Sequence, residues 1–114
     1  MFIENAMGKI NISKQIITKI ILKSANAIAG ITYTSNGIIE NITSRFGGNS
    51  SQHGIELKET ATGLDIHLCI TIQHRLIIPE VCKVLQSNVR ETIENFTGVS
   101  VDHVNVTIVG VSVD

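Results

Sequence analysis

The chain has 114 residues, one Tyr, no Trp and a formal net charge of −1, which is the size of one domain and excludes both the basic footprint of a nucleic-acid binder and the aromatic platforms that stack single strands. It has no polybasic cluster for an anionic lipid surface and no apolar run near the ~18 residues that span a bilayer, so direct membrane insertion is not expected. "MFIENAMG" is no secretory signal, the chain reads as cytosolic, and Cys69 and Cys82 are expected to stay reduced there.

Residues 1–8 show no period and are expected as a flexible tail, leaving 9–114 as a single domain. "KINIS" alternates Ile10 and Ile12 with polar neighbours and predicts a short strand. Ser13 then stands where an N-cap belongs, because its hydroxyl can accept from an orphan N–H of the first turn. Ile17, Ile20, Ile21, Ser24 and Ile28 follow at helical spacing. Gly30 is the expected stop, since glycine takes the left-handed conformation at no steric cost. The first helix is therefore predicted over 13–29.

"GITYTSNG" reads as a brief extended piece ending in a turn. Ile38, Ile39, Ile42 and Phe46 fit one face of a short helix, and Gly47 to Ser51 reads as a flexible loop. "GIELKE" and "GLDIHLCITIQH" have period two. Leu64, Ile66, Leu68, Ile70 and Ile72 alternate with Asp65, His67, Cys69, Thr71 and Gln73. That pattern predicts antiparallel strands with one apolar and one wet face, joined by "TATG" as a hairpin turn.

Pro79 suits the first turn of a second helix, where its missing N–H is no loss. Ile78, Cys82, Leu85, Val89, Ile93 and Phe96 form its apolar stripe, and Gly98 ends it. Val104, Val106 and Ile108 then alternate with His103, Asn105 and Thr107 in a last strand. Past them, Val109, Val111 and Val113 fall on the opposite face of a regular strand. The order β-α-(insert)-β-β-α-β predicts an α+β fold: a two-layer α/β sandwich with a mostly antiparallel sheet and two helices on one face. The order fits a ferredoxin-like arrangement, with the strand order left open.

Few residues carry chemistry. Asp65, His67 and Cys69 have the residue types of an orienter, a base and a nucleophile. They alternate along one strand, though, about 6.5–7 Å apart at i, i+2, while nucleophile and base must approach to about 3 Å. His67, Cys69 and His103 could meet at a metal if strands three and four were neighbours, which is the alternative reading: a small metal- or thiol-dependent protein. A structural zinc site commonly uses two close-spaced ligand pairs, and only one such pair is present. His53 and His74 read as solvated loop residues, and Cys82 as a small core residue. Glu80, Glu91 and Glu94 read as solubilising charges. "FGGNSS" lacks the Gly-Lys-Ser/Thr of a phosphate loop. No catalytic residue, metal or cofactor is expected. Ile38, Ile39, Ile42, Phe46, Val109, Val111 and Val113 are the candidate interface, since exposed apolar patches and open strand edges mark partner sites.

"GKINIS", the helix ending "IAGI", "GIIENITSRFG", "GIEL" and the run from Ile78-Pro79 through Gln86 and Thr97-Gly98 to Val104-Asn105-Val106 and Gly110-Val111 together resemble the alkaline shock protein family, also called the envelope stress response family. The resemblance covers Gly8 to Val113. It implies a non-enzymatic bacterial protein that is cytoplasmic, sometimes held at the membrane by an anchor protein, and that associates with itself or with related family members. The last third is similar to a branch found beside fatty-acid synthesis genes, which implies acetyl-CoA carboxylase subunits as partners. The long charged tails of the stress-protein branch are absent here. The family brings no catalytic residues to carry over.

Overall fold

The computed structural model describes residues 1–34, 51–52 and 54–112. In chain order they form β1 (Phe2–Asn5), β2 (Gly8–Asn11), α1 (Lys14–Asn26), β3 (Ile31–Thr34), β4 (Ser51–Gln52), β5 (Ile55–Glu59), β6 (Leu64–Gln73), α2 (Ile78–Thr97) and β7 (Val101–Ser112). The expected short helix over Ile38–Phe46, His53 and Val113 lie outside the described residues. Ser51, expected in a loop, begins β4.

Local signals set the helix ends. The Ser13 hydroxyl accepts from the Ile16 N–H at 3.2 Å, which satisfies one of the donors that an α-helix leaves orphaned at its start. α1 closes at Asn26, short of the expected Gly30. Gly30 has φ +98 and leads into β3, and a Cβ there would overlap the Leu76 side chain. Pro79 lies in the first turn of α2, and Gly98 ends that helix at φ +77. Its N–H donates to the Glu94 carbonyl at 2.9 Å.

β6 is the hub of a five-stranded sheet. One of its edges carries β7 in parallel, from Leu64–Val101 to Gln73–Ser112. The other edge is shared end to end by two antiparallel strands, β5 opposite Leu64 to Leu68 and β3 opposite Ile70 to Ile72. β4 pairs with β5. The parallel step from β6 to β7 runs through α2, because parallel neighbours need a long crossover.

The "KINIS" strand was expected in this sheet and is not part of it. β2 pairs instead with β1 in a separate hairpin, with Ile3 opposite Ile10. The segment expected as a tail thus supplies β1, and the Ile12 N–H donates to the Met1 carbonyl at 2.7 Å. Both edges of β6 are occupied, one by β7 and the other by β5 and β3.

Both helices cover one face of the sheet. Leu64, Ile66, Leu68 and Ile70 are fully buried with Ile17, Ile21 and Ala25 of α1 and Leu85, Val89 and Ile93 of α2. Each such Leu or Ile contributes about 1.5–3 kcal/mol relative to an exposed side chain. The Asn88 amide donates to the Ser24 hydroxyl at 2.8 Å and ties the two helices together. The architecture is the expected α+β sandwich with two helices on one face.

Two details differ. Phe96 and Ile78, both expected in the buried stripe, are 73% and 41% exposed: Thr97 rather than Phe96 continues the row of Leu85, Val89 and Ile93, and Ile78 stands at the open first turn of α2. Val111, expected on the opposite face from Ile108, is the register partner of Ile72 on the helix side. β7 carries one extra residue at Asp102 and another at Val109, where the register shifts. A β-bulge places two residues opposite one and inverts the facing of every later residue in the strand. Gly110 is the partner of Thr71, where a Cβ would lie 3.1 Å from the Thr71 Oγ1.

Candidate functional site

The helix-free face of the sheet holds the side chains singled out for chemistry. Period two puts Asp65, His67 and Cys69 of β6 on it, and the register sets His103, Asn105 and Thr107 of β7 beside them in that order. The His103 Nδ1 lies 3.0 Å from Asp65 Oδ1. The His67 Nε2 lies 2.7 Å from the Thr107 hydroxyl. Each imidazole is therefore engaged by a residue of the neighbouring strand.

β6 and β7 are neighbours, which was the condition for a metal site, but His67, Cys69 and His103 are not brought to one point. His103 is paired with Asp65, while Cys69 stands beside Thr107. Among the described residues no group of three or more His, Cys, Asp or Glu converges. Burial pushes the Cys69 thiol above its ordinary pKa, and the Glu56 carboxylate adds to the rise. The thiolate is the nucleophile and the metal ligand, so this environment works against both roles. Cys82 is partly buried against the core, and its thiol is also raised by burial.

At one end of this face Asp102 occupies the first bulge of β7. Its Oδ2 accepts from the Thr60 and Thr62 hydroxyls, each at 2.6 Å. These bonds, with smaller help from His103 and Arg90, hold its carboxyl below the usual range. The Gly63 backbone runs so close to the Ser100 carbonyl that a Cβ there would overlap it. The Leu64 N–H donates to that carbonyl at 3.0 Å. The "TATG" turn is thus a clasp on the start of β7. Sequence alone shows the turn but not that Asp102 is its target.

Glu94 of α2 was read as a solubilising charge and is tied to β7 instead, as are Arg90 and Gln86. Arg90 and Glu94, four apart, do not serve each other. The Arg90 Nη2 donates to the Asp102 carbonyl at 2.9 Å, and Glu94 Oε2 accepts from the Val101 N–H at 2.9 Å. The Gln86 amide donates to the Val104 carbonyl at 2.8 Å. Between α2 and this edge lies a cavity of about 300 Å³ with Lys83, Arg90 and His103 on its wall.

Of the candidate interface residues, Val109 is half-buried and Val111 is 51% exposed. Ile38, Ile39, Ile42, Phe46 and Val113 lie outside the described residues. Other apolar side chains stand in solvent: Ile77 is 60% and Val84 57% exposed. No helix among the described residues is long and apolar enough to cross a membrane.

The model of the alkaline shock protein 23 family, which is the alkaline shock protein family and is described by a "cell envelope-related function", matches residues 3–113. The uncharacterized protein YqhY of Bacillus subtilis (strain 168) is 26% identical over 108 residues, which cover 95% of this chain and 80% of YqhY. Among solved structures, the MamM CTD in its copper form is similar with a TM-score of 0.57 at 10% identity, covering 85% of each chain. A variant of that domain, also in a copper form, has a TM-score of 0.59 at 11% identity over 86% of this chain and 98% of the other. At such identity the likeness is one of fold.

Proposed function

The chain belongs to the alkaline shock protein family, described by a cell envelope-related function, and from that premise we propose that it works by contact rather than by catalysis, associating with itself and holding a partner protein. The observation that carries this reading is how the polar groups of the open face are used. His103 is spent on Asp65, His67 on Thr107, and Asp102 on Thr60 and Thr62. A nucleophile must meet its base within hydrogen-bond reach, and the register sets Cys69 beside Thr107, with His103 two same-face pairs away beside Asp65. Large apolar side chains such as Ile77, Val84 and Val111 are more than half exposed instead. Exposed apolar side chains that join into one patch mark a contact site, and these are the side chains from which such a patch would be built.

In this reading the protein is cytoplasmic and reaches the envelope through a partner. The partner is a membrane anchor protein or a subunit of acetyl-CoA carboxylase. The test is crosslinking in cells, then pull-down of the tagged chain at its native level, read by mass spectrometry. Carboxylase subunits in the eluate would place the contact in lipid synthesis. An anchor protein with related family members would place it in an envelope scaffold. Full recovery of the chain with no crosslinked protein in any growth state would sink the contact reading.

A further inference from the structure

β7 has two edges, and among the described residues only one is used. The inner edge is bonded to β6; the outer edge carries no strand among the described residues. The bonds at the ends of the ladder fix which groups point outward. The Leu64 N–H donates to the Ser100 carbonyl and the His74 N–H to the Ser112 carbonyl, so the even residues of β6 turn toward β7. In a parallel ladder each of them bonds to the two neighbours of its register partner. The partners themselves, Val104, Val106, Ile108 and Val111, therefore turn N–H and C=O away from the sheet.

α2 caps the start of that outer edge. Arg90 takes the Asp102 carbonyl and Gln86 takes the Val104 carbonyl. Val106, Ile108 and Val111 receive no such cap from the described residues. The stretch from Asn105 to Ser112 has no charged residue and no proline, the devices by which proteins usually blunt a free edge.

Deepening the contact reading above, on which this rests, we propose that the outer edge of β7 from Val106 to Val111 is the self-association surface, covered by the same edge of a second copy in antiparallel pairing. Val106 of each copy then stands opposite Val111 of the other, two residues whose backbone groups both point outward. Charge favours this occupant. The paired stretch is uncharged, so a twofold axis sets no like charges opposite each other. The antiparallel sense sends the two clusters of Lys83, Arg90 and His103 to opposite ends. Length favours it as well, since a strand running the whole edge would meet Gln86 and Arg90, whereas self-pairing needs only the uncapped part. The result joins two sheets into one and removes both free edges, an isologous contact.

The test is sedimentation velocity of the full chain across a concentration series. The wild type is expected at twice the 12.4 kDa chain mass. Val106→Pro removes an outward N–H and leaves the β6 ladder intact, as proline on an edge strand does. Val111→Lys puts a charge into the paired row. Both variants are expected at monomer mass with an unchanged circular dichroism spectrum, and Gln15→Lys, on the exposed side of α1, is expected to remain a dimer. A dimer indifferent to the folded Val111→Lys variant would overturn the edge assignment and leave self-association standing. A wild type that is monomeric at every concentration would remove both.

Discussion

The Gln86 side-chain amide donates to the Val104 main-chain carbonyl at 2.8 Å, so a helix residue closes a bond that the next strand of a sheet would normally make. A hydrogen bond of this kind contributes about 1 kcal/mol net. Gln86→Leu is expected to lower the urea midpoint by a corresponding amount with no change in slope, since the surface exposed on unfolding is the same. An unchanged midpoint would mean that the bond contributes nothing in solution.

Leu85 is fully buried between α2 and the sheet. Leu85→Ala should cost about 2–5 kcal/mol through lost burial and the cavity left behind. Leu85→Asp is expected to unfold the chain, because it sets an unpaired charge in the core. Thermal melts of both variants check this, and a wild-type melting temperature for Leu85→Asp would show that the helix faces are assigned wrongly.

Asp102 sets a pH dependence. Its carboxyl is held below the usual range by the Thr60 and Thr62 hydroxyls. A depressed pKa in the folded state contributes stability that is present above the unfolded value, about 3.9. That contribution is lost as pH falls through the lower folded value. Asp102→Asn is expected to be less stable than wild type at pH 7, with the gap narrowing as the pH is taken well below 4. Denaturation curves at a series of pH values test the sign, and a gap that widens in acid would refute it.

The two glycines bracketing this region should respond for different reasons. At Gly63 a Cβ would overlap the Ser100 backbone carbonyl, so Gly63→Ala must displace main chain and is expected to cost about 1–3 kcal/mol. At Gly98 there is open space but φ is +77. Gly98→Ala is expected to cost about 1 kcal/mol from the left-handed backbone alone. A Gly63→Ala variant as stable as the wild type would contradict the close approach at Gly63.

Cys69 has a thiol raised by burial and by Glu56. It should react slowly with thiol reagents at neutral pH, and more slowly than the same thiol in unfolded protein. Cys69→Ser is expected to leave the protein folded and its cellular function intact. Loss of that function in a folded variant would overturn the non-catalytic reading.

What the residue order determined by itself is local. Alternation from Leu64 to Gln73 determined a strand with one apolar face, because side chains alternate sides whatever the strand pairs with. Ser13, Pro79 and Gly98 determined helix ends, because each satisfies or removes a backbone group within its own turn. The family was legible in the spacing of such signals from Gly8 to Val113.

The tertiary structure alone decided the rest. β7 fills one edge of β6 and β5 with β3 fills the other, while β2 pairs with β1. Bulges at Asp102 and Val109 shifted the faces of β7, where the break in apolar alternation reads equally well as a change of face. Asp65 met His103, and Gln86 met Val104, across 38 and 18 residues of chain. None of these depends on a residue's sequence neighbours. Each depends on which strand arrives at which edge, and that competition for backbone donors and acceptors is settled only when the whole sheet has formed.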